Sequence, residues 1–480
     1  MATTATRATH IPPEEQPQFF GHPVGLFILF FTEMWERFSY YGMRGLLKAY
    51  MVYYLCSTFG AKLYKSDFPD PPAEAPSNPF HFLGFDFLHY LPNWIVSFST
   101  VQDFGSSMYG GYTALVYATP FFGGIIADRW IGQRRSVYIG GVVMAIGHFV
   151  MASEQMFLVA LGLLIIGNGF FKPNISTQVG DLYAQGDSRR DGAFTIFYMG
   201  INLGAFLCNL VCGTLAAILG WHYGFGAAGV GLCLGLVIYA FGGKYLAPEK
   251  PRAEKAANNA AAGPLSSEDW LKVGALCALC VLNIAFWAVY EQQGNTMQTW
   301  ADTQTNWPVI LGFQVPPNWF QSFNPFMIFM LAPVLDMFWR WQNQRGTEPS
   351  SVGKMAIGST ILGLSFVVMA LGAYLVGEGQ RGSVFWPFFC TLVLTVGELY
   401  LSPIGLSLVT KVSPPRIVSM MMGMWLASSF LGNFLSGFIG TFYDDMTKTS
   451  FFLLLCAIGV GTGAAMWAFN KPLKKALGGH

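Results

Sequence analysis

Seven ionisable side chains stand out within the long apolar stretches of this chain. They are Glu33, Glu36, Arg37, Arg44, Lys172, Glu291 and Glu398. Placing a charge at the centre of a bilayer is costly, and such residues persist where they are paired, hydrated or functional. Their mixed signs favour two kinds of chemistry, which are recognition of a charged solute and transfer of protons.

The first of these stretches carries four of the seven charges on one side of a predicted helix. At about 100° per residue, Glu36, Arg37, Tyr40 and Arg44 point within about 60° of the direction of Glu33. Glu33 and Arg37 are four residues apart and can pair. A structural ion pair would explain one Glu and one Arg but not the second Glu, so the stripe is predicted to face a functional interior.

Depth along the helices predicts a second charge pair. At about 1.5 Å per residue from Gly25, Glu33 and Arg37 lie about 12–18 Å along the helix, near the bilayer midplane. Arg44 lies nearer the outer edge, and Glu291 reaches a similar depth on an outward-running segment. Arg44 and Glu291 are therefore predicted to link the two halves of the chain on the outside.

The remaining charges predict a solute with both signs. Arg37 and Lys172 place positive groups on the first half, and Glu398 places an acid on the second, which suits a short zwitterion. Snorkelling of Lys172 to the membrane edge and a structural role for Glu398 are the alternatives. Aromatic side chains on or near these segments could line the cavity, although each alone could equally be packing: Tyr40, Tyr41, Tyr117, Trp287 and Trp425.

Composition sets the class of protein. Of 480 residues, 53% are hydrophobic and 11% are charged, whereas soluble domains carry about 25% charged residues. The net charge of +1 provides no basic surface for phosphate backbones. These values exclude a soluble enzyme, a disordered scaffold and a nucleic-acid binder, and indicate a polytopic membrane protein.

The sequence offers no cofactor or metal chemistry. Cys277 and Cys280 form a C-x-x-C within an apolar segment that has no His or second cysteine pair. No G-x-x-x-x-G-K-[ST] phosphate loop occurs in the chain. Uphill movement of a solute would therefore have to be driven by an ion gradient.

Twelve apolar segments predict an all-α membrane protein, since closed barrels would show short alternating strands instead. The segments span residues 24–55, 104–127, 136–153, 156–178, 194–218, 222–243, 269–299, 322–341, 353–376, 384–411, 418–440 and 449–470. No basic, cleavable signal precedes the first one, which is predicted to be a retained helix. Lys and Arg concentrate in alternate loops and in the tail, so both termini are predicted to be cytoplasmic.

The predicted organisation is two six-helix bundles joined by a linker, which is the major facilitator architecture. It comprises a cytoplasmic N-terminal segment 1–23, a bundle 24–243 containing an extracytoplasmic, partly helical loop 56–103, a cytoplasmic linker 244–268, a second bundle 269–470 and a cytoplasmic tail 471–480. A G-x-x-x-D-R pattern ends the second segment, and its Asp128 and Arg129 are predicted to act in conformational gating.

Several motifs together carry a family resemblance. The E-x-x-E-R sequence from Glu33 to Arg37, continued by FSYYGMR, resembles the signature of proton-coupled oligopeptide transporters of the bacterial type. Further blocks similar to that family follow in the expected order: GGIIADRWIG (123–132), GNGFFKPNIS (167–176), FYMGINLGAF (197–206), FWAVYEQQG (286–294) and GELYLSP (397–403).

The resemblance implies import of di- and tripeptides with protons by alternating access, at the bacterial inner membrane and without an obligate protein partner. It assigns the peptide carboxylate to Arg37 and Lys172 and the amino terminus to Glu398. Asn202 and Asn324 would contact the peptide backbone. The five aromatics would form the side-chain pocket and gate. Glu33, Glu36 and Glu291 would participate in proton coupling, with Arg44 pairing with Glu291 at the outer gate.

Two departures from relatives matter. The position of a His found in animal members is occupied here by Gly110, which shifts proton coupling to carboxylates. The linker is too short for the two additional helices of many bacterial members, so twelve spans are predicted. The main alternative is a transporter of another small anion such as nitrate, for which an amine-binding acid has no use. A receptor or scaffold is disfavoured by the mid-membrane charges, and a channel by their mixed signs.

Overall fold

A computed structural model describes residues 11–56, 82–183, 189–247, 265–414 and 417–471. Most of the predicted linker at 244–268, the first part of the loop at 56–103 and nearly all of the tail after 470 lie outside these residues. Residues 82–100 of that loop are described, and they contain a short helix at Phe85–His89.

Twelve helices of 18 or more residues occur in the described part of the chain, each overlapping one predicted segment. They are α1 (Val24–Tyr50), α2 (Val101–Ile126), α3 (Gln133–Val150), α4 (Phe157–Asp181), α5 (Arg189–Leu219), α6 (Trp221–Gly242), α7 (Ser267–Tyr290), α8 (Phe323–Gln344), α9 (Ser351–Val376), α10 (Phe385–Val412), α11 (Val418–Gly440) and α12 (Lys448–Ala468). The all-α prediction is confirmed.

Nine of these helices, α4 to α12, are long and apolar enough by length and composition to cross a membrane, among the residues described. The other three long helices, α1 to α3, are more polar. Helix α1 contains five charged side chains, those of Glu33, Glu36, Arg37, Arg44 and Lys48. A helix with that many charges can lie in a membrane only if most of its polar face is covered by protein or water.

Short elements extend the long helices. Turns of π-helix at Met51–Leu55 and Ala127–Ile131 continue α1 and α2. Within the described ranges, three two-stranded pairings join Gln18–Phe19 to His22–Pro23, Thr305–Asn306 to Gly382–Ser383, and Val309–Ile310 to Phe313–Gln314.

The segment predicted as one helix over 269–299 is broken in the structure. Helix α7 ends at Tyr290, a 3₁₀ turn covers Glu291–Gln293, and a separate short helix runs over Thr296–Thr303. Asn295 lies at the break, with φ of −105° and ψ of −90°, outside the helical region. The polar residues around this break are buried. The break is therefore not a solvent-exposed loop of the kind that a hydropathy profile reveals.

The chain forms two compact units: Met1–Met43 with Thr119–Asn258, and Arg44–Ala118 with Asn259–His480. In the first unit α3 packs closely on α4, where Gly140 faces the Gly167 carbonyl. In the second unit α9 packs on α10 and α12, with Gly358 against Gly397 on the α10 side. Small residues allow the helix backbones to approach closely, as is common in membrane bundles. The division into two six-helix bundles, 24–243 and 269–470, stays a prediction.

Candidate functional site

In the first unit, α1 buries an acid–base cluster of Glu33, Glu36 and Arg37, each no more than 2% exposed. The Arg37 guanidinium donates through Nε to Glu36 Oε2 and through Nη2 to Glu36 Oε1, the latter at 2.7 Å. Its Nε also lies 3.2 Å from Glu33 Oε1. One cation therefore serves two carboxylates.

The two carboxylates of the cluster are not equivalent. Glu36 uses both oxygens in a bidentate pair, which is the strongest geometry that Arg offers. Glu33 Oε2 is buried and accepts no hydrogen bond from any described residue. The predicted Glu33–Arg37 pair is present, but Glu36 is the closer partner. Glu33 is therefore the member of the cluster with an oxygen available to a proton.

Three further predicted residues surround this cluster in the first unit. The Arg37 guanidinium carbon lies 5.0 Å from the centre of the Tyr40 ring and 6.0 Å from that of Tyr41, within the range of cation–π attraction. Lys172, half-buried on α4, acts electrostatically on Glu33. The cluster with Lys172 thus contains two acids and two bases on two helices.

Asn202, the remaining predicted binding residue of this unit, is buried on α5. Its Nδ2 donates to the Tyr198 carbonyl at 3.0 Å, along its own helix. A buried contact that sequence reasoning missed joins α1 to α3, where Ser39 Oγ lies 2.6 Å from His148 Nε2. It anchors the turn of α1 that follows Arg37, and no motif in the sequence pointed to it.

In the second unit Glu398 is held at the centre of a polar cluster. Asn324 Nδ2 donates to Glu398 Oε2 at 2.7 Å and to Thr395 Oγ1 at 3.0 Å. The Tyr290 hydroxyl donates to Asn324 Oδ1 at 3.4 Å. No basic side chain among the described residues forms an ion pair with Glu398, so its charge is available to a cationic solute. Thr395 and Tyr290 were not predicted, although Thr395 lies one turn before Glu398 on α10.

The other three predicted aromatics also belong to the second unit. Tyr117 and Trp287 are half-buried and Trp425 is 4% exposed. The Trp425 ring packs on Gly405 of α10, where any side chain would collide with it. Trp287 Nε1 is buried without a hydrogen-bond partner among the described residues, so it could donate to a solute.

The predicted Arg44–Glu291 ion pair is confirmed. Arg44 Nη2 pairs with Glu291 Oε2, and Arg44 Nε donates to the Tyr109 hydroxyl at 2.8 Å. One helical turn further along α1, Lys48 Nζ donates to Asn295 Oδ1 at 2.6 Å. We call this region the α1–α7 contact. It comprises Arg44 and Lys48 on α1, and Glu291 and Asn295 in the segment that directly follows α7. Lys48 and Asn295 were missed by sequence reasoning.

Gly110, which the sequence resemblance predicts to replace the His of animal members, lies in a contact between α2 and α11. A Cβ atom at Gly110 would lie 2.5 Å from Gly437 Cα and 3.1 Å from the Asn433 carbonyl oxygen. Backbone cannot move aside at such a distance without separating the helices. The structure therefore has no room for a His side chain there.

Replacing Gly110 by Ala is expected to lower the thermal unfolding temperature of the detergent-purified protein by several degrees. Overpacking of a tight site costs about 1–3 kcal/mol. The control is Gly111→Ala on the next residue, where nothing lies within 4 Å of the added Cβ. Equal unfolding temperatures for the two variants would contradict the packing described here.

The structure describes the predicted gating pair Asp128 and Arg129 only in part. Both lie in the π-helical turn after α2, and Arg129 is exposed. The Asp128 side chain lies outside what the structure describes, so the role of this pair stays a prediction. At the end of α8, Arg340 pairs with Asp336 at 2.8 Å.

Comparison with known proteins decides the family. The profile of the POT family matches residues 134–267 and 258–460. The chain belongs to the POT family. A di-/tripeptide transporter of Lactococcus lactis subsp. cremoris is 31% identical over 522 residues, covering 96% of this chain and 97% of the relative. The peptide transporter YePEPT of Yersinia enterocolitica is also 31% identical, covering 88% of each chain.

A solved POT structure supports the fold assignment. The crystal structure of the peptide transporter POT in complex with sulfate has a TM-score of 0.78 and 30% identity, covering 98% of each chain. This POT-family chain therefore has the major facilitator fold and is a multi-pass membrane transporter, not an enzyme.

Proposed function

We propose that this POT-family transporter imports di- and tripeptides together with protons, by alternating access. Relatives that align over nearly the whole chain are named di-/tripeptide transporters, which supports a peptide substrate. The observation that carries the proposal is the buried cluster on α1, in which Arg37 serves two carboxylates and one Glu33 oxygen accepts no hydrogen bond from the described residues. A solute carboxylate and a proton can both be exchanged at such a cluster.

The proposed binding roles follow charge. Arg37 and Lys172 bind the peptide carboxylate, and Glu398 binds the amino terminus. Asn202 and Asn324 contact the peptide backbone. The aromatic lining of the side-chain pocket and gate comprises Tyr40, Tyr41, Tyr117, Trp287 and Trp425. Solved relatives bind small solutes, and one POT structure, 27% identical, contains 5-aminolevulinic acid.

Proton coupling is proposed to use partner exchange on α1. When the peptide carboxylate occupies Arg37, Glu33 and Glu36 lose part of their compensating charge and bind a proton more tightly. Glu33 accepts it, because its Oε2 has no other hydrogen bond among the described residues. Glu291 takes part through Arg44, since protonation of Glu291 would break the ion pair between them.

Gating and orientation complete the proposal. The chain crosses the bacterial inner membrane twelve times with both termini in the cytoplasm, which places the α1–α7 contact on the outer side. Arg44 and Glu291 close that side, and Asp128 and Arg129 help to close the cytoplasmic side. The driving force is the proton gradient, and no cofactor is required.

The experiment that tests this function is uptake of labelled dialanine into proteoliposomes, with and without an inward proton gradient. Accumulation above the external concentration, abolished by a proton ionophore, is the expected result. Uptake of nitrate without uptake of dialanine would instead favour the anion-transport alternative.

Replacing Lys172 by Ala is expected to weaken binding of dialanine about 10- to 100-fold, since a hydrogen bond to a charged group contributes about 1.5–3 kcal/mol. Binding of dialanine amide, which lacks the carboxylate, should change much less. Binding is measured by calorimetry on the purified protein, with Lys272→Ala as the control, because Lys272 is half-exposed and pairs with Glu268 at the start of α7. Unchanged affinity for dialanine in Lys172→Ala would remove Lys172 from the site.

A further inference from the structure

Lys48 is a buried cation that neither the family motif nor the proposed binding site uses. It lies four residues after Arg44 on α1, so the two cations share one face of the helix. Glu291 and Asn295 are likewise four residues apart, and each receives one of these cations. Lys48 is 4% exposed, as deeply buried as many core residues.

The two cations of the α1–α7 contact differ in what neutralises them. Arg44 pairs with the Glu291 carboxylate. Among the residues that the structure describes, Lys48 Nζ donates only to oxygens of Asn295, to Oδ1 at 2.6 Å and to the carbonyl oxygen at 3.4 Å. Within the described part of the chain, no carboxylate lies within the 4.0 Å of an ion pair to Lys48.

Asn295 is fixed as the acceptor by its surroundings. Its Oδ1 also accepts from Ser106 Oγ at 3.0 Å, and its Nδ2 donates to the Ser436 carbonyl at 3.2 Å. Gly440 leaves the space that the Asn295 amide occupies. The side chain is 0% exposed and joins α1, α2 and α11 at one point. It cannot turn away from Lys48 while the contact is closed.

More distant charges compensate Lys48 only partly. Asp103, Asp302 and Asp444 act favourably on it from beyond ion-pair distance, whereas Lys448 acts against it. Two of the acids are engaged elsewhere: Asp444 accepts from Lys448 Nζ at 2.9 Å, and Asp302 accepts from Gln298 at 2.8 Å. The ammonium therefore relies mainly on one neutral side chain.

Burying a charge without a counter-ion costs more than a hydrogen bond to a neutral acceptor returns. When the contact opens, water can solvate the ammonium and remove that cost. Lys48 thus disfavours the closed state, while the Arg44–Glu291 pair favours it.

We infer that Lys48 is a positioning residue that opposes closure of the α1–α7 contact, with Asn295 setting how strongly it does so. The inference rests on the proposed alternating access. It predicts that the closed and open states have similar free energies, which allows the outer side to reopen in each transport cycle.

The test measures the open and closed populations directly. Spin labels are attached at Tyr90→Cys and Leu311→Cys, both exposed in the structure, in a background whose native cysteines are replaced. Their distance distribution is recorded in lipid nanodiscs without substrate. Lys48→Met, an apolar side chain of similar length, should raise the closed-to-open ratio about tenfold, which corresponds to about 1.4 kcal/mol.

Two substitutions of the acceptor should move the populations in opposite directions. Asn295→Asp supplies a counter-ion and should also favour the closed state. Asn295→Ala removes the Oδ1 acceptor at 2.6 Å and leaves the more distant carbonyl oxygen at 3.4 Å, so it should favour the open state. The effect of Asn295→Ala should shrink when combined with Lys48→Met, since part of it arises from the unpaired charge.

Lys272→Met is the matched control, because it removes a half-exposed lysine at the opposite end of α7 and should leave the distances unchanged. A closed population that falls or stays constant in Lys48→Met would overturn the inference, as would opening by Asn295→Asp. The readout needs no peptide, so failure of dialanine uptake would contradict the proposed function without affecting this result.

Discussion

Glu33→Gln is expected to abolish accumulation of dialanine driven by a proton gradient. Gln keeps the size and the hydrogen-bonding capacity of the side chain but cannot take up a proton at neutral pH. In the structure Glu33 is buried beside Arg37, and its Oε2 is without a hydrogen bond among the described residues. Loss of this proton acceptor should uncouple peptide movement from the gradient, so that the internal peptide concentration only equals the external one.

Exchange distinguishes lost coupling from lost binding. Glu33→Gln proteoliposomes preloaded with unlabelled dialanine should still exchange it for labelled dialanine, because Arg37 keeps its bidentate partner Glu36. Glu15→Gln, at an exposed glutamate ahead of α1, serves as the control and should accumulate peptide as the unmodified chain does. Accumulation by Glu33→Gln to the level of that control would refute the assignment of Glu33.

The helices of this protein were accessible to sequence reasoning because the membrane imposes a simple rule. In lipid, the backbone N–H and C=O groups of a chain must form their hydrogen bonds within the protein, so each long apolar run becomes a helix. Arg44 and Glu291 could also be paired from the sequence, since the depth of a residue follows from its distance to the helix end. The depth of a residue in the membrane can thus be predicted by counting residues along its helix.

Contacts that depend on side-chain conformation could not be predicted in the same way. The i, i+4 rule favoured Glu33 as the partner of Arg37, yet the long guanidinium side chain turns back to chelate its direct neighbour Glu36. The break at Asn295 depends on acceptors and donors from α1, α2 and α11, which lie far away in sequence. The buried contact of Lys48 with Asn295 was not predicted. A single lysine near a helix end ordinarily snorkels to the membrane edge.

Glu398→Gln is expected to lower the affinity for dialanine about 10- to 100-fold, through loss of a charge-assisted interaction of about 1.5–3 kcal/mol. Gln can still accept the hydrogen bond that Asn324 donates at 2.7 Å, so the polar cluster should persist. The charge is the only large change, and an ammonium is the only part of the peptide that needs it.

N-acetyl-dialanine separates this role from a general disturbance of the site, because acetylation removes the ammonium. Calorimetric titration should show that Glu398→Gln binds the acetylated peptide as the unmodified chain does, while Glu378→Gln, at an exposed loop carboxylate, alters neither affinity. An equal loss of affinity for both peptides would mean that Glu398 shapes the site without reading the amino terminus. Full affinity of Glu398→Gln for dialanine would instead show that Glu398 does not bind the ammonium.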